Sequence, residues 1–334
     1  MSTKILRIGD PHIKPSNVEE CEKLMHFIMD TIREEQPNRV EIMGDLFHTH
    51  SIVHLSVMEF WDGWLDTLIV DPSIDVYVLV GNHDKATTEE FSFSALSVFK
   101  HMRARNLKIC ELPRVDGIYA YVPYYHNPET FIEIANGCAK QGAKVLVCHQ
   151  TFDGSHYEKG FYAPDGIDAS KLLFDLIISG HIHSTQKLKN IATGQTVVYP
   201  GTPKWDISSD ANEDKGIWLY EHDDTTGAII SEKLLRTAHV VTKIVHLTWK
   251  EGEPLEAIPG GCKVSVEIVG SRVWVDAQKE AIKGQVQITT KVTDKVEKKD
   301  REPGKSFPEF VAKNFKTDMD RTELLRYMKE LDIV

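Results

Sequence analysis

No run of apolar residues in this 334-residue chain comes near the roughly 18 that a bilayer-spanning helix needs, and the N-terminus enters a strand-like KILRIG without an apolar signal-peptide core. The expectation is a soluble, unprocessed protein. Paired cysteines are lacking as well. Cys21, Cys110, Cys138, Cys148 and Cys262 are scattered without CxxC spacing, and Cys148 sits in an apolar run where a reduced thiol behaves as a small hydrophobe. That pattern argues against a disulfide framework and for a reducing cytoplasm, a host's cytoplasm if the source is a phage. There is no internal repeat, no low-complexity tract and no excess of positive charge. A net charge of −11 argues against a surface coated for non-specific nucleic-acid binding. The deficit is uneven, since residues 1–230 hold 20 Lys+Arg against 33 Asp+Glu, whereas 231–334 hold 19 against 17. Divalent cations bound in the acidic part would reverse the sign locally, where a phosphate has to approach.

What is present is a chain long enough for one large core and a smaller appendage. Over the first 200 residues, short β-branched runs alternate with amphipathic stretches, the pattern of an α/β sandwich. Strands are expected at 5–8, 39–43, 76–80, 119–123, 145–149, 176–179 and 196–199, and helices at 19–35, 53–69, 88–103 and 128–141. Asn17 and Asn127 are the expected caps of the first and last helix. From 216 to about 248 the chain reads as β-hairpins with a turn at 223–227, and strand 262–269, a helix at 274–282 and strand 286–292 read as a small βαβ unit. The charged stretch 293–305 reads as a linker ending in Pro303-Gly304. Beyond it, Phe307, Phe310, Val311 and Phe315, then Leu324, Leu325, Met328 and Leu331, recur at helical spacing.

Five short motifs stand at the C-terminal ends of expected strands, where open α/β folds place their sites. They are Asp10-Pro11-His12, Gly44-Asp45-Leu46-Phe47-His48, Gly81-Asn82-His83-Asp84, Cys148-His149 and Gly180-His181-Ile182-His183. Singly each is weak, because an Asp after a strand is often a helix cap and a lone His is often a satisfied core residue. Jointly they bring carboxylates, an amide oxygen and imidazoles to one edge, and so many polar groups at buried strand ends need a common partner. Mixed nitrogen and oxygen donors suit Mn or Fe better than an all-oxygen Mg or Ca cage. The glycines before Asp45, Asn82 and His181 are expected to let the backbone turn sharply there.

This series, D-x-H, G-D, G-N-H, H and G-H-x-H from Asp10 to His183, resembles the calcineurin-like metallophosphoesterase superfamily without a gap. The resemblance implies a four-layer αββα sandwich binding two divalent metal ions, Mn by the donor argument. One metal would take Asp10, His12 and His183, the other Asn82, His149 and His181, with Asp45 bridging. His83 would be no ligand but would face the scissile phosphate. Two cations about 3.5–4 Å apart can activate water and clamp phosphate oxygens during in-line displacement.

Serine/threonine phosphatases of the superfamily carry an Arg after the second motif and G-N-H-E, so Gly44-Asp45-Leu46-Phe47-His48 and Gly81-Asn82-His83-Asp84 point elsewhere. Together with Tyr199-Pro200-Gly201-Thr202-Pro203 they resemble the SbcD-type nuclease branch, whose members cut DNA in repair and recombination complexes. His48 is implied to help position DNA; the alternative is a histidine that orients a ligand. The same resemblance implies a nuclease domain over 1–240, a small α+β capping domain over 241–293, a linker over 294–306 and a helical segment over 307–334 that docks on an SbcC-type, SMC-like ATPase. The apolar stripe of 307–331 fits such docking or folding back on its own domain. In the helix near 53–69 apolar residues span an arc of roughly 220°, so it buries two faces. It is either sandwiched inside the monomer or, as the resemblance implies, part of a homodimer interface through helices around 53–103. The competing function is a phosphodiesterase or phosphatase on small substrates.

Overall fold

β-branched runs bounded by turns assemble into two six-stranded sheets. The computed structural model of the chain describes residues 1–293 apart from 51, 90–92, 103, 159–160, 164, 191–192, 208–209, 212 and 285, so the expected linker 294–306 and helical segment 307–334 lie outside the described residues. The first sheet has the order β14 (Ile229–Arg236), β13 (Gly216–Asp223), β1 (Ser2–Ile8), β2 (Arg39–Ile42), β3 (Asp75–Leu79), β4 (Leu107–Cys110). The second runs β11 (Gln186–Lys189), β12 (Thr196–Tyr199), β10 (Leu176–Gly180), β7 (Val145–His149), β6 (Tyr119–Val122), β5 (Arg114–Asp116). β1 to β4 are mutually parallel, as are β6, β7, β10 and β12.

The strands alternate between two cores. Ile5, Tyr77 and Leu79 of the first sheet, with Met43 just beyond β2, meet Tyr121, Val145, Val147 and Ile178 of the second in an inner layer. Leu6, Ile8, Val40, Ile42, Val76 and Val78 point outward onto α1 (Val18–Glu35) and α2 (Leu55–Leu68). Val122, Leu146, Cys148 and Ile177 do the same onto α3 (Pro128–Lys140). The result is the αββα sandwich, with the parallel strands at the centre of each mixed sheet covered on both faces as such strands require. Among the described residues no helix is long and apolar enough to cross a membrane.

Charge interrupts the inner layer. Arg7 Nε donates to Glu41 Oε2 at 2.6 Å, both side chains essentially unexposed. Tyr121 donates its hydroxyl to Glu41 Oε1, while the Arg39 guanidinium donates to the Tyr121 oxygen and lies over the Tyr77 ring. Burial pushes the Glu41 carboxyl up, but Arg7 and Arg39 outweigh it and hold the group below its ordinary value.

Several expectations need correction. The helix expected at 88–103 is a 3₁₀ turn over Ala95–His101. Lys85 pairs with Ser94 in an antiparallel bridge and Ala95 N–H donates to Asp84 O, which fixes the preceding backbone before a helix can start. Asn17 occupies the N-cap position of α1 without capping it; its Oδ1 accepts from Lys14 N–H and its amide donates to His12 O. Asn127 does cap α3, accepting from the N–H groups of Glu129 and Thr130. The hairpin reading holds for β13 and β14, but β15 (Ile244–Lys250) leaves that sheet and pairs in parallel with β16 (Lys263–Gly270). β16 in turn pairs with β17 (Gln287–Val292), and α4 (Arg272–Ala281) packs Val275 against Val266 and Ile268. A ribbon of β8 (His156–Glu158) and β9 (Phe161–Tyr162) follows β7.

Candidate metal centre

The C-terminal ends of β1, β2 and β3 lie side by side in one sheet and those of β7 and β10 side by side in the other, with Ile8 paired to Ile42, Ile42 to Val78, and Gly180 to His149. All five motifs therefore open onto one edge of the sandwich. Among the described residues, three of the four non-glycine residues at positive φ are there: His12 at 45°, Asp45 at 51° and His181 at 82°. Such conformations cost on the order of 1–3 kcal/mol each and persist only where the surroundings fix them. Here His12 N–H donates to Asp45 O at 3.0 Å, His83 N–H to Asp45 Oδ1 at 2.8 Å, and His181 N–H to Asp10 Oδ2 at 2.7 Å.

Glycine is required for two reasons, of which the sequence reading identified one. Gly44 has φ of +105°, so it does turn the chain before Asp45. Gly180 has no such φ; a Cβ there would lie 2.5 Å from Met43 O and 2.6 Å from Asp10 Oδ1. Gly81 is equally crowded, by Asp45 and by His149 Cε1 at 2.8 Å. At these two positions space, not backbone freedom, is what glycine provides.

The side chains converge on two overlapping groups. In one, His12 Nε2 stands 2.9 Å from His183 Nε2 and 3.5 Å from Asp45 Oδ2, with Asp10 nearby. In the other, Asn82 Oδ1 lies 3.0 Å from His149 Nε2 and 2.8 Å from His181 Nδ1, and His149 Nε2 lies 3.3 Å from Asp45 Oδ2. Asp45 thus belongs to both, and a ring nitrogen of His83 forms a third group with His12 and Asp45. His83 Nδ1 donates to His48 O at 2.7 Å, which leaves Nε2 as its free nitrogen. His48 itself is 39% exposed, with Nδ1 3.8 Å from Asp206 Oδ2. The structure therefore brings together Asp10, His12, Asp45, Asn82, His83, His149, His181 and His183, with His48 at the rim.

These atoms fit cations. His12 Nε2 and His183 Nε2 face each other at 2.9 Å, so at least one of them presents a lone pair there, and Asp10 Oδ1 is buried with no hydrogen-bond partner. His149 gives its Nδ1–H to Met43 O at 2.8 Å, so its Nε2 is what faces Asn82 and Asp45. Burial disfavours the His149 cation, yet Asp45 and Asp10 raise its pKa to about 10. Burial also pushes Asp10 up to about 8, with Asp45 adding repulsion against the pull of His149. His181, by contrast, is lowered to about 3 by burial and by His149, and burial holds His12 and His183 down as well. Neutral imidazoles are the form that ligates metal.

Supporting residues escaped the sequence reading. Asp84, fully buried, accepts from Phe47 N–H and Gly81 N–H and so ties the second and third motifs together. Lys215 Nζ donates to His183 O at 2.9 Å while held by Asp210 at 2.8 Å. Asp206 receives Lys14 at 2.9 Å and Lys204 at 3.3 Å beside His48. Only Asp84 had a local signal, standing inside a motif; the others act across long sequence separations.

Residues 3–185 match the family model described as calcineurin-like phosphoesterase. The chain is 30% identical over 232 residues to a putative phosphoesterase of Invertebrate iridescent virus 6, covering 66% of this chain and 77% of that one. It is 25% identical over 230 residues to exonuclease subunit 1 of Enterobacteria phage T4, covering 65% of this chain and 64%, under two thirds, of the phage protein. Among solved structures, a protein of Thermus thermophilus aligns over 71% of this chain and all of its own, at 10% identity and a TM-score of 0.42.

Proposed function

The chain belongs to the calcineurin-like phosphoesterase family, whose model it matches over more than half its length, and from that premise we propose that it is a manganese-dependent DNA phosphodiesterase. In this reading it is the exonuclease/endonuclease subunit of an SbcCD-type repair or recombination complex. The observation that carries the hydrolytic part is the convergence of three donor atoms: His149 Nε2 stands 3.0 Å from Asn82 Oδ1 and 3.3 Å from Asp45 Oδ2, with no hydrogen among them once His149 is neutral. The DNA part is supported by the Gly44-Asp45-Leu46-Phe47-His48 motif and by similarity to a phage exonuclease subunit.

Asp10, His12 and His183 would hold one ion, Asn82, His149 and His181 the other, and Asp45 both. When bound, the pair would supply Lewis acidity and positive charge to the phosphate, with Mn favoured because four of these seven residues are histidines. His83, its Nδ1 spent on His48 O, presents Nε2 to the leaving oxygen and stabilises or protonates it. His48 at the rim helps seat DNA. The strands β15 to β17 with α4, in the span 241–293, serve as a capping domain to the nuclease domain 1–240. Leu55 on α2 and Val98 on the 3₁₀ turn are exposed apolar side chains, which supports a homodimer through this region. Residues 307–334, joined by the linker 294–306, dock on an SbcC-type ATPase.

The test is hydrolysis of linear duplex DNA and of bis-p-nitrophenyl phosphate with Mn. A DNA nuclease attacks both. Hydrolysis of the small ester with duplex left intact would assign the chain to small substrates instead.

A further inference from the structure

His83 is held by more than the loop that carries it. Its N–H donates to Asp45 Oδ1 at 2.8 Å and its Nδ1–H to His48 O at 2.7 Å. The loop after β2 answers with a second bond in the opposite sense, because His50 Nδ1 lies 3.0 Å from Asn82 O and donates to it. The two imidazoles thus cross-link the loops reciprocally, ring to backbone each way. They also stack, with ring centroids 4.1 Å apart and planes 24° from parallel. His50 is exposed and belongs to none of the three groups of potential metal ligands.

We propose that His50 is a positioning residue for His83, fixing the ring whose Nε2 faces the leaving oxygen. This rests on the reading of His83 given above. A side chain free to swing about its Cα–Cβ bond would sample that orientation only part of the time. The stack closes one face of the His83 ring, and the bond to Asn82 O keeps the stacking partner from leaving. His50 meets the ligand set only at the backbone oxygen of Asn82 and touches none of the side-chain atoms assigned to metal, so its effect falls on proton delivery more than on metal binding. The consequence is selective. An alkoxide leaving group, as in DNA, depends on the His83 proton, whereas the p-nitrophenolate of bis-p-nitrophenyl phosphate departs readily without it.

The experiment compares kcat on a short DNA and on bis-p-nitrophenyl phosphate for the full chain and for His50→Ala, His50→Phe, His83→Ala and the double alanine variant, with bound Mn measured in each. His50→Ala should lose about 10–100-fold on DNA, the usual range for a residue that orients another, with little change on the aryl ester and Mn content unchanged. His50→Phe keeps the stack and should recover part of the loss. The double variant should be no slower than His83→Ala, since a positioning residue has nothing left to position. If His83→Ala lost both substrates equally, the role of His83 would fail and this inference with it. If His83→Ala were selective for DNA but His50→Ala lost both substrates equally, lost Mn, or slowed neither, the inference about His50 alone would be overturned.

Discussion

At the scale of single residues, Asp45 and His83 should separate binding from turnover. Asp45 sits between the two donor groups, so Asp45→Ala should release both ions, whereas His83→Ala should keep them and lose about 10²–10⁴-fold in kcat. Metal analysis of both variants decides this, and loss of an ion from His83→Ala would make it a ligand. Protons give a second handle. In the bare protein Asp10 is raised to about 8 by burial, and His149 is raised to about 10 because Asp45 and Asp10 outweigh its burial, so both carry protons at neutral pH. Ligation needs the carboxylate ionised and the imidazole neutral. Metal binding at pH 7 should therefore release protons, and apparent affinity should rise with pH towards 10. Calorimetry in buffers of different ionisation enthalpy reads the proton count, and affinity independent of pH between about 6 and 9 would contradict the assignment. The ligand types were legible because each motif is contiguous. Why Gly81 and Gly180 are glycines was not, since what crowds them comes from other strands: Asp45, His149, Met43 and Asp10.

At the scale of elements, β-branched central strands were readable and polar edges were not. β11, Gln-Lys-Leu-Lys, carries one apolar residue, and β5 is three residues long, so neither stands out in the chain. The 88–103 segment failed for a different reason: its periodicity suited a helix, but the Lys85–Ser94 bridge and the Asp84–Ala95 bond are tertiary constraints. The Arg7–Glu41 pair was hidden because strands that alternate correctly give no sign that an inward position is charged. Its removal should be felt. Glu41→Ala leaves Arg7 buried and unpaired, which typically costs about 3–5 kcal/mol, and denaturant unfolding should show it. Because the folded-state pKa of Glu41 is depressed, its contribution is full above its ordinary value of 4.5 and disappears as pH falls through the lower folded value. The difference in stability between wild type and Glu41→Ala should thus shrink only below its ordinary value of 4.5; a difference already lost at pH 5 would mean that Arg7 does not hold the carboxylate.

At the scale of the whole molecule, the uneven charge acquires a meaning. The part of the chain that forms the sandwich carries the excess of Asp and Glu, and cations bound at its strand ends would add positive charge where a polyanion approaches. DNA binding should therefore follow metal binding. The tail beyond Val292 is proposed to serve a partner and not the chemistry, so truncation there should preserve folding and metal-dependent cleavage of short DNA while abolishing co-purification with the ATPase. An unfolded truncation, or one that binds the ATPase unchanged, would place 293–334 in the core or in another task. The account as a whole stands on two ions at the meeting edge of the sheets, and anomalous scattering from Mn-soaked crystals tests that most directly. The prediction is two peaks about 3.5–4 Å apart on either side of Asp45, one in reach of Asp10, His12 and His183 and the other in reach of Asn82, His149 and His181. No peak within bonding distance of Asp45 and His149 would contradict it.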